Sequence, residues 1–460
     1  MSSRLHTLPP ALRNSLYLWS IPPDLALFPR RSFWTEPRKQ VMEGAEDGSI
    51  AVSGKTRITR RIHILGVGNI GGFVAHSLAS LPNRPPMTLL LHKIEHYSAW
   101  KKHERRITLV KHGVAEPRNG FDINVLRDGA WYEPFVPDEA IEEQAGSLPP
   151  RSKPEDQFIN VDDEKIDSLI LAVKATQVEQ ALKSVRHRLS PKSAIVFLQN
   201  GMGVQDEVNQ KIFPDPASRP SYIQGVTTHG LHYTKAYHIT HAGVGTSAFS
   251  IVYPERPQSP PEDTGKPRAE SNDRDFWDIS SIYLTNTLLR SPELTPVRIT
   301  KIEMLQHQLE KLAINCVINP LTALNDCLNG DLLYNYNISR VQRLLLIEIS
   351  TVIRALPELQ GVPGAMSRFS PERLRTLAVG VMYKTATNTS SMLQDIRLGK
   401  ETEIDYINGY IVRRGEELGI KCALNYMLAQ MVLAKARMLS KQIQDEIPLS
   451  SSPAKYESIM

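Results

Sequence analysis

The 460-residue sequence predicts an α/β fold in which an N-terminal domain of alternating strands and helices is followed by an all-helical C-terminal domain. Three observations predict it. A short apolar strand, Ile62-His63-Ile64-Leu65, runs straight into Gly66-Val67-Gly68-Asn69-Ile70-Gly71 and then a helix, which is a G-x-G-x-x-G turn in its strand–turn–helix setting. Dense apolar strands then alternate with helical stretches to about residue 298. Beyond Ile302 the strand signal vanishes and helical periods fill the chain, so a Rossmann-type dinucleotide-binding domain precedes a helical one.

Residues 1–60 do not read as domain. Pro9-Pro10, Pro22-Pro23, Pro29 and Pro37 interrupt every long element, and the first forty residues carry six Lys/Arg against two acids. That composition fits an organellar transit peptide, with Arg30-Arg31-Ser32-Phe33 near a processing site; a disordered cytosolic extension fits equally, so mitochondrion and cytoplasm both stay open. From Arg61 to Arg298 the first domain follows. In its turn Gly66 permits the tight bend, Gly68 lets backbone approach a pyrophosphate, and Gly71 permits close helix–strand packing, with helix-start N–H groups facing phosphate.

The next strand, Thr88–Leu91, ends in His92-Lys93 where an NAD-preferring site carries Asp or Glu; cations there favour the 2′-phosphate of NADP(H). Between 100 and 161 a few short strands are expected, with an insertion near 138–160. Ile166–Val173 reads as a buried strand ending at Lys174, Thr176–Leu189 as a helix, and Ala194–Leu198 as a strand ending in Gln199-Asn200. Lys174 and Asn200 therefore fall at the strand ends where ligands gather, which marks both as cofactor contacts. Strands at 223–229, 236–240 and 246–252, a low-complexity insertion near 256–275, a helix at 277–289 and an edge strand at 294–298 complete this domain.

The second domain, 299–442 with a tail at 443–460, reads as helices over 302–324, 339–356, 371–387 and 403–442. In the first of these, Leu309, Leu312, Ala313, Cys316, Val317 and Leu321 form an apolar face, yet Lys311, Asn315 and Asn319 recur four apart on one side before Pro320, which should stop or kink the helix. A cation and two amides there are costly unless they meet a ligand or each other. A capped core helix is the bland alternative.

Composition excludes several classes. Apolar residues make up 41% and charged residues 22%, and the net charge of +5 comes without a basic stripe interleaved with aromatics, so no nucleic-acid partner is expected. Cys316, Cys327 and Cys422 have neither zinc nor disulfide-framework spacing, so no metal is expected. No apolar run approaches the ~18 residues of a membrane span, so a soluble protein is expected.

Five segments, in this order, resemble the ketopantoate reductase (2-dehydropantoate 2-reductase) family: the glycine turn 66–71, Asn200-Gly201-Met202-Gly203, the run from Lys311 to Ala323, Ser390-Ser391-Met392-Leu393-Gln394-Asp395-Ile396-Arg397, and Thr402-Glu403-Ile404-Asp405-Tyr406-Ile407-Asn408-Gly409. The glycine turn is common to many dehydrogenases, and the other four are specific to the family. The resemblance spans about 61–439 and implies NADPH-dependent reduction of 2-dehydropantoate to pantoate, a step toward pantothenate and coenzyme A. It implies Lys311 as the catalytic lysine with Glu403 beside the reacting centre. It implies Asn315, Asn319, Asn329, Asn388, Ser390 and Ser391 as substrate contacts, and Gly66, Gly68, Asn69, Ile70, Gly71, Lys174 and Asn200 as cofactor contacts, to which the strand-end reading adds His92 and Lys93. The chain departs from the family pattern at His92-Lys93, where Arg is frequent, and at Thr227–Leu231. An ammonium at Lys311 suits the chemistry, because hydride arriving at a keto carbon leaves an alkoxide that needs a cation and then a proton. Two alternatives stay open: a related 2-keto acid reductase, and a non-catalytic mitochondrial interaction protein on the same fold. A homodimer is compatible with the sequence without being required by it.

Overall fold

The computed structural model describes residues 49–52, 56–134, 160–252 and 279–446. By their contacts they form two compact units, one of residues up to 199 together with Val204–Leu305, the other of Asn200–Gly203 together with residues from Gln306 onward. Most of the leader, the two insertions and the tail lie outside the described residues. The stretch before Arg61 is not wholly outside the fold. Thr56–Thr59 pairs antiparallel with Ser49–Val52, Ile58 is buried, and the Thr59 N–H donates to Asp167 Oδ2 at 2.8 Å.

A ten-stranded mixed sheet organises the first unit. Its parallel centre runs, in spatial order, Asp122–Arg127, Met87–Leu91, Ile62–Leu65, Ser168–Leu171, Ala194–Phe197 and Ser221–Thr227. Antiparallel strands extend both sides, and Pro296–Arg298 is an edge strand as expected. The four innermost parallel strands, Met87–Leu91, Ile62–Leu65, Ser168–Leu171 and Ala194–Phe197, are buried at every position, so they read as nearly continuous apolar runs, as strands covered on both faces do. Helix Ile279–Leu289 packs on the central strands, and helix Asn69–Ala79 packs on a separate four-stranded sheet that contains Gly230–Lys235, His238–Gly243, Ile107–Lys111 and Val114–Arg118. The strand order reverses beside Ile62–Leu65. Its carboxyl end and that of Ser168–Leu171 therefore flank the crevice position at which doubly wound sheets bind ligands.

Three elements here carry no clear sequence signal: helices Ile94–Lys102 and Val204–Lys211 and strand Gly230–Lys235. Each helix buries only two side chains (Tyr97 and Trp100; Val204 and Val208), too few for a periodic stripe. The strand is half-buried or exposed throughout and is held by its hairpin partner.

The second unit is helical: Lys301–Asn325 (begun in the first unit), Tyr336–Ala355, Pro371–Lys384, Ser391–Arg397, Asn408–Glu417 and Ala423–Glu446 are its main helices. Two expectations are corrected here. The span 403–442 is two helices, because Gly419, with φ +70°, turns the chain left-handed after Leu418 and the Ile420 N–H closes on Gly415 C=O at 2.7 Å. Pro320 does not stop its helix, which continues to Asn325. Leu309, Leu312, Val317 and Leu321 are all buried, worth roughly 1.5–3 kcal/mol each. That sum outweighs the ~3 kcal/mol propensity cost of one proline. Glu310 anchors the same helix: its buried carboxylate takes Arg368 Nε at 3.0 Å and Nη2 at 2.8 Å, and Arg373 Nη1 at 2.5 Å. Burial works to raise the Glu310 carboxyl, and the two guanidiniums overcome it and leave it below its usual range.

Candidate active site

The glycine turn is built for a close ligand. Gly66 has φ +101°, and a Cβ there would lie 2.6 Å from Val173 N, so only glycine passes between the two strand ends. A Cβ on Gly71 would fall 1.8 Å from Gly66 O, which forces helix and turn together. Gly68 is different. It is exposed, and a Cβ would meet no atom within 4 Å, so the backbone there faces open space. Helix Asn69–Ala79 starts immediately after it, with Gly68 as N-cap, so Asn69 and Ile70 occupy the first turn. An open glycine at a helix start beside a sheet's switch point fits a dinucleotide pyrophosphate. Lys174 is the half-buried N-cap residue of the short turn after strand Ser168–Leu171.

His92 and Lys93 end the Met87–Leu91 strand, both exposed, and Lys93 is the N-cap of the Ile94–Lys102 helix. The two residues differ in their surroundings. Partial desolvation of the ring by its neighbours, the His96 imidazole edge-on at 4.7 Å, and the Lys93 ammonium push the His92 pKa down to about 4, against Glu95. At neutral pH the strand end therefore presents Lys93 as its cation.

In the second unit three expected residues join. Lys311 Nζ donates to Asn200 Oδ1 at 2.9 Å, and Asn200 Nδ2 donates to Glu403 Oε2 at 3.1 Å. Asn200, expected as a cofactor contact, is thus the link between the lysine and the glutamate. Burial pushes the Lys311 ammonium from its ordinary 10.5 down to about 8, and the Glu403 carboxylate opposes the fall. The residue is half-buried as a whole, while Glu403 is buried. A buried carboxylate that both orients an amide and tempers a depressed lysine is an acid–base arrangement.

Asn315 and Asn319 follow Lys311 one and two turns on, half-buried and buried respectively, and neither side chain is hydrogen-bonded among the described residues. Asn329 and Asn388 meet through backbone, the Asn329 N–H donating to Asn388 C=O at 3.0 Å, while Asn329 Nδ2 donates to Thr385 Oγ1 at 2.9 Å. Asn329 Oδ1 is buried with no partner within the described chain, a polar atom that a ligand could satisfy. Ser390 has a structural task. Its Oγ accepts the Leu393 N–H at 3.1 Å as N-cap of helix Ser391–Arg397 and pairs with Thr322 Oγ1 at 2.7 Å, whereas Ser391 is exposed.

The sequence reading passed over Gln199. Its Nε2 donates to Leu171 C=O at 2.8 Å and Val173 C=O at 3.1 Å, pinning the strand end just before Asn200. It also passed over Thr385, Thr322 and Asn408. A polar residue flanking a suspected site residue was the only signal for Gln199; Thr322 and Asn408 lie inside the family-like segments without a role assigned there, and nothing local marked Thr385.

Residues 62–252 match the family described as "Ketopantoate reductase PanE/ApbA" and residues 303–436 its C-terminal counterpart. A probable 2-dehydropantoate 2-reductase of Schizosaccharomyces pombe is 31% identical over 381 residues, covering 82% of this chain and 96% of that protein. A ketoisovalerate reductase of Beauveria bassiana is 26% identical over 400 residues, covering 78% and 79%. Among solved structures, the PanE/ApbA family ketopantoate reductase of Ralstonia eutropha aligns with a TM-score of 0.57 at 19% identity, over 82% of this chain and 99% of that one, so the fold is shared. This chain belongs to the ketopantoate reductase family.

Proposed function

We propose that this member of the ketopantoate reductase family reduces 2-dehydropantoate to pantoate with NADPH, supplying pantothenate and coenzyme A synthesis. The observation that carries the reading is the Lys311–Asn200–Glu403 chain, with its lysine poised near pH 8. A nicotinamide dinucleotide held along Gly66, Gly68, Asn69, Ile70 and Gly71 would supply hydride to the keto carbon. Lys174 would add a cationic contact, and Lys93 would meet a 2′-phosphate. Lys311 stabilises the developing alkoxide and passes its Nζ proton to that oxygen; with a pKa about 8 it is about nine-tenths protonated at pH 7 and still a competent donor. Asn200 holds the ammonium in place, and Glu403 keeps it from deprotonating too early. Asn315, Asn319, Asn329, Asn388 and Ser391 offer uncharged donors and acceptors to a carboxylate and hydroxyl, while Ser390 acts through the helix it caps.

NADPH oxidation by the purified protein, assayed with 2-dehydropantoate and with other branched 2-keto acids, tests the reading. Turnover of 2-dehydropantoate with the highest kcat/KM is expected. Preference for another acid would instead select the second reading, a sister 2-keto acid reductase, which the Beauveria relative's name supports. No turnover with any of them would favour the non-catalytic alternative. Among the described residues no helix is long and apolar enough to cross a membrane. Import of a reporter fused to residues 1–60 tests the mitochondrial destination.

A further inference from the structure

Pro320 lies inside the Lys301–Asn325 helix and has no N–H, so it cannot close the usual bond to the carbonyl four residues back, that of Cys316. A buried carbonyl without a donor costs ~1–3 kcal/mol. Here the donor comes from elsewhere in the chain. Asn408 Nδ2, on a fully buried residue, donates to Cys316 C=O at 2.9 Å. Its other proton goes to Asn425 Oδ1 at 3.0 Å, and Asn425 Nδ2 in turn donates to Glu348 Oε2 at 2.8 Å. Glu348 also takes the N–H groups of Leu424 and Asn425, each at 3.0 Å, at the start of helix Ala423–Glu446.

The direction of this relay is fixed by chemistry. A carboxylate accepting backbone N–H groups can only accept, so Asn425 must turn its Nδ2 to Glu348 and its Oδ1 to Asn408. Asn408 must then point Nδ2 at both Asn425 and Cys316. The orientation is held although Asn408 Oδ1 is left buried without a partner, a cost that a purely structural amide would tend to avoid.

What Asn408 joins is informative. It follows Glu403 by five residues, across the single turn Ile404–Tyr406, whose Tyr406 N–H closes on Glu403 C=O at 3.0 Å. In the same turn Tyr406 C=O takes the Met202 N–H at 2.9 Å, two residues after Asn200. One short segment therefore holds Asn200 by a carboxylate, its loop by a carbonyl, and the Lys311 helix, at the carbonyl one residue past Asn315, by an amide.

We propose that Asn408 is a positioning residue: by capping the carbonyl that Pro320 leaves open, it fixes Glu403 and Asn200 in register with Lys311. This rests on the reading of Lys311 as proton donor, but its test does not need turnover. Loss of the Asn408 donor lets the Glu403 segment part from the helix, so the carboxylate supports the Lys311 ammonium less and Lys311 titrates at lower pH.

The pH dependence of Lys311 acetylation by acetic anhydride, mapped by mass spectrometry on the full chain, reads this directly. In Asn408→Ala and in the near-isosteric Asn408→Leu, which carries no donor and no charge, the apparent pKa should fall by about one unit, with the basic limb of kcat/KM following it. Pro320→Ala restores an N–H that satisfies Cys316 C=O within the helix but not the tether to the Glu403 segment, so Pro320→Ala/Asn408→Ala should fold at least as well as Asn408→Ala and keep the lowered value. That double variant also serves if Asn408→Ala fails to fold. A lowered melting temperature with an unmoved or raised Lys311 titration would overturn the proposal, as would a double variant whose Lys311 titration returns to that of the wild type. If the wild type turns over no 2-keto acid, the functional reading fails, while the acetylation profiles still decide the role of Asn408.

Discussion

Glu403→Gln is the sharpest probe of the acid–base chain. The amide keeps an oxygen where Asn200 Nδ2 now donates at 3.1 Å, so Asn200 can still hold Lys311 Nζ at 2.9 Å, and only the negative charge is removed. The charge acts across one amide, a separation of ~5 Å, where two unit charges at an effective dielectric of about 20 interact by ~3 kcal/mol. Lys311 keeps some exposure as a whole residue, so solvent screening reduces this, to roughly half. About one pH unit results, at ~1.4 kcal/mol per unit. The sign follows from the role. A lysine acting as general acid works when protonated, so reduction runs below its pKa of about 8 and fades above it. With the carboxylate gone the pKa should fall to ~7, so at pH 8 the protonated fraction drops from about half to about a tenth, a roughly fivefold loss in kcat/KM. At pH 6 the loss should be slight. Steady-state NADPH oxidation from pH 5.5 to 9.5 measures both limbs. A basic limb that stays in place, or moves to higher pH, refutes the assigned coupling.

Lys311→Met should lower kcat by at least ~10², the low end for losing a general acid, while melting no lower than wild type because a desolvated cation is replaced by a thioether; a near-normal kcat removes the lysine from the mechanism. The two inner glycines should separate cofactor binding from folding. Gly68→Ala, which meets no neighbour within 4 Å, should keep its melting temperature yet weaken dinucleotide binding by ~10-fold or more, the worth of one lost hydrogen bond to a charged group. Gly71→Ala, with its Cβ 1.8 Å from Gly66 O, should be strongly destabilised, and calorimetry alongside cofactor titration shows whether the pair divides this way. At pH 7.5 Lys93→Ala should raise KM for NADPH by ~10-fold and leave NADH unchanged, while His92→Ala, already neutral there, should do less. Equal effects of the two substitutions on both cofactors would remove the 2′-phosphate contact.

Much of the fold was readable because its signals are local. The Gly66–Gly71 turn needs glycine for reasons of backbone conformation and close approach, and both operate within a few residues and the adjoining strand. The buried strands at 62–65, 168–171 and 194–197 are apolar at nearly every position because both faces of the sheet are covered. Lys311 stood out by cost: a cation among Leu309, Leu312, Ala313 and Cys316 asks for a reason. Where periodicity was thin, as at Ile94–Lys102, or where one glycine divides a helical run, as at Gly419, the local signal failed.

The sequence by itself determined the class of each unit, the glycine turn and which lysine to propose as proton donor, since these depend on residue type and near-neighbour spacing. Tertiary structure alone decided what each polar group is doing. Asn200 lies 111 residues from Lys311 and 203 from Glu403, yet it joins them; Asn408 satisfies a carbonyl 92 residues away; and Ser390 is committed to a helix cap and to Thr322. Hydrogen-bond partners and desolvation depend on which atoms the fold brings within ~3 Å, and no spacing along the chain encodes that distance.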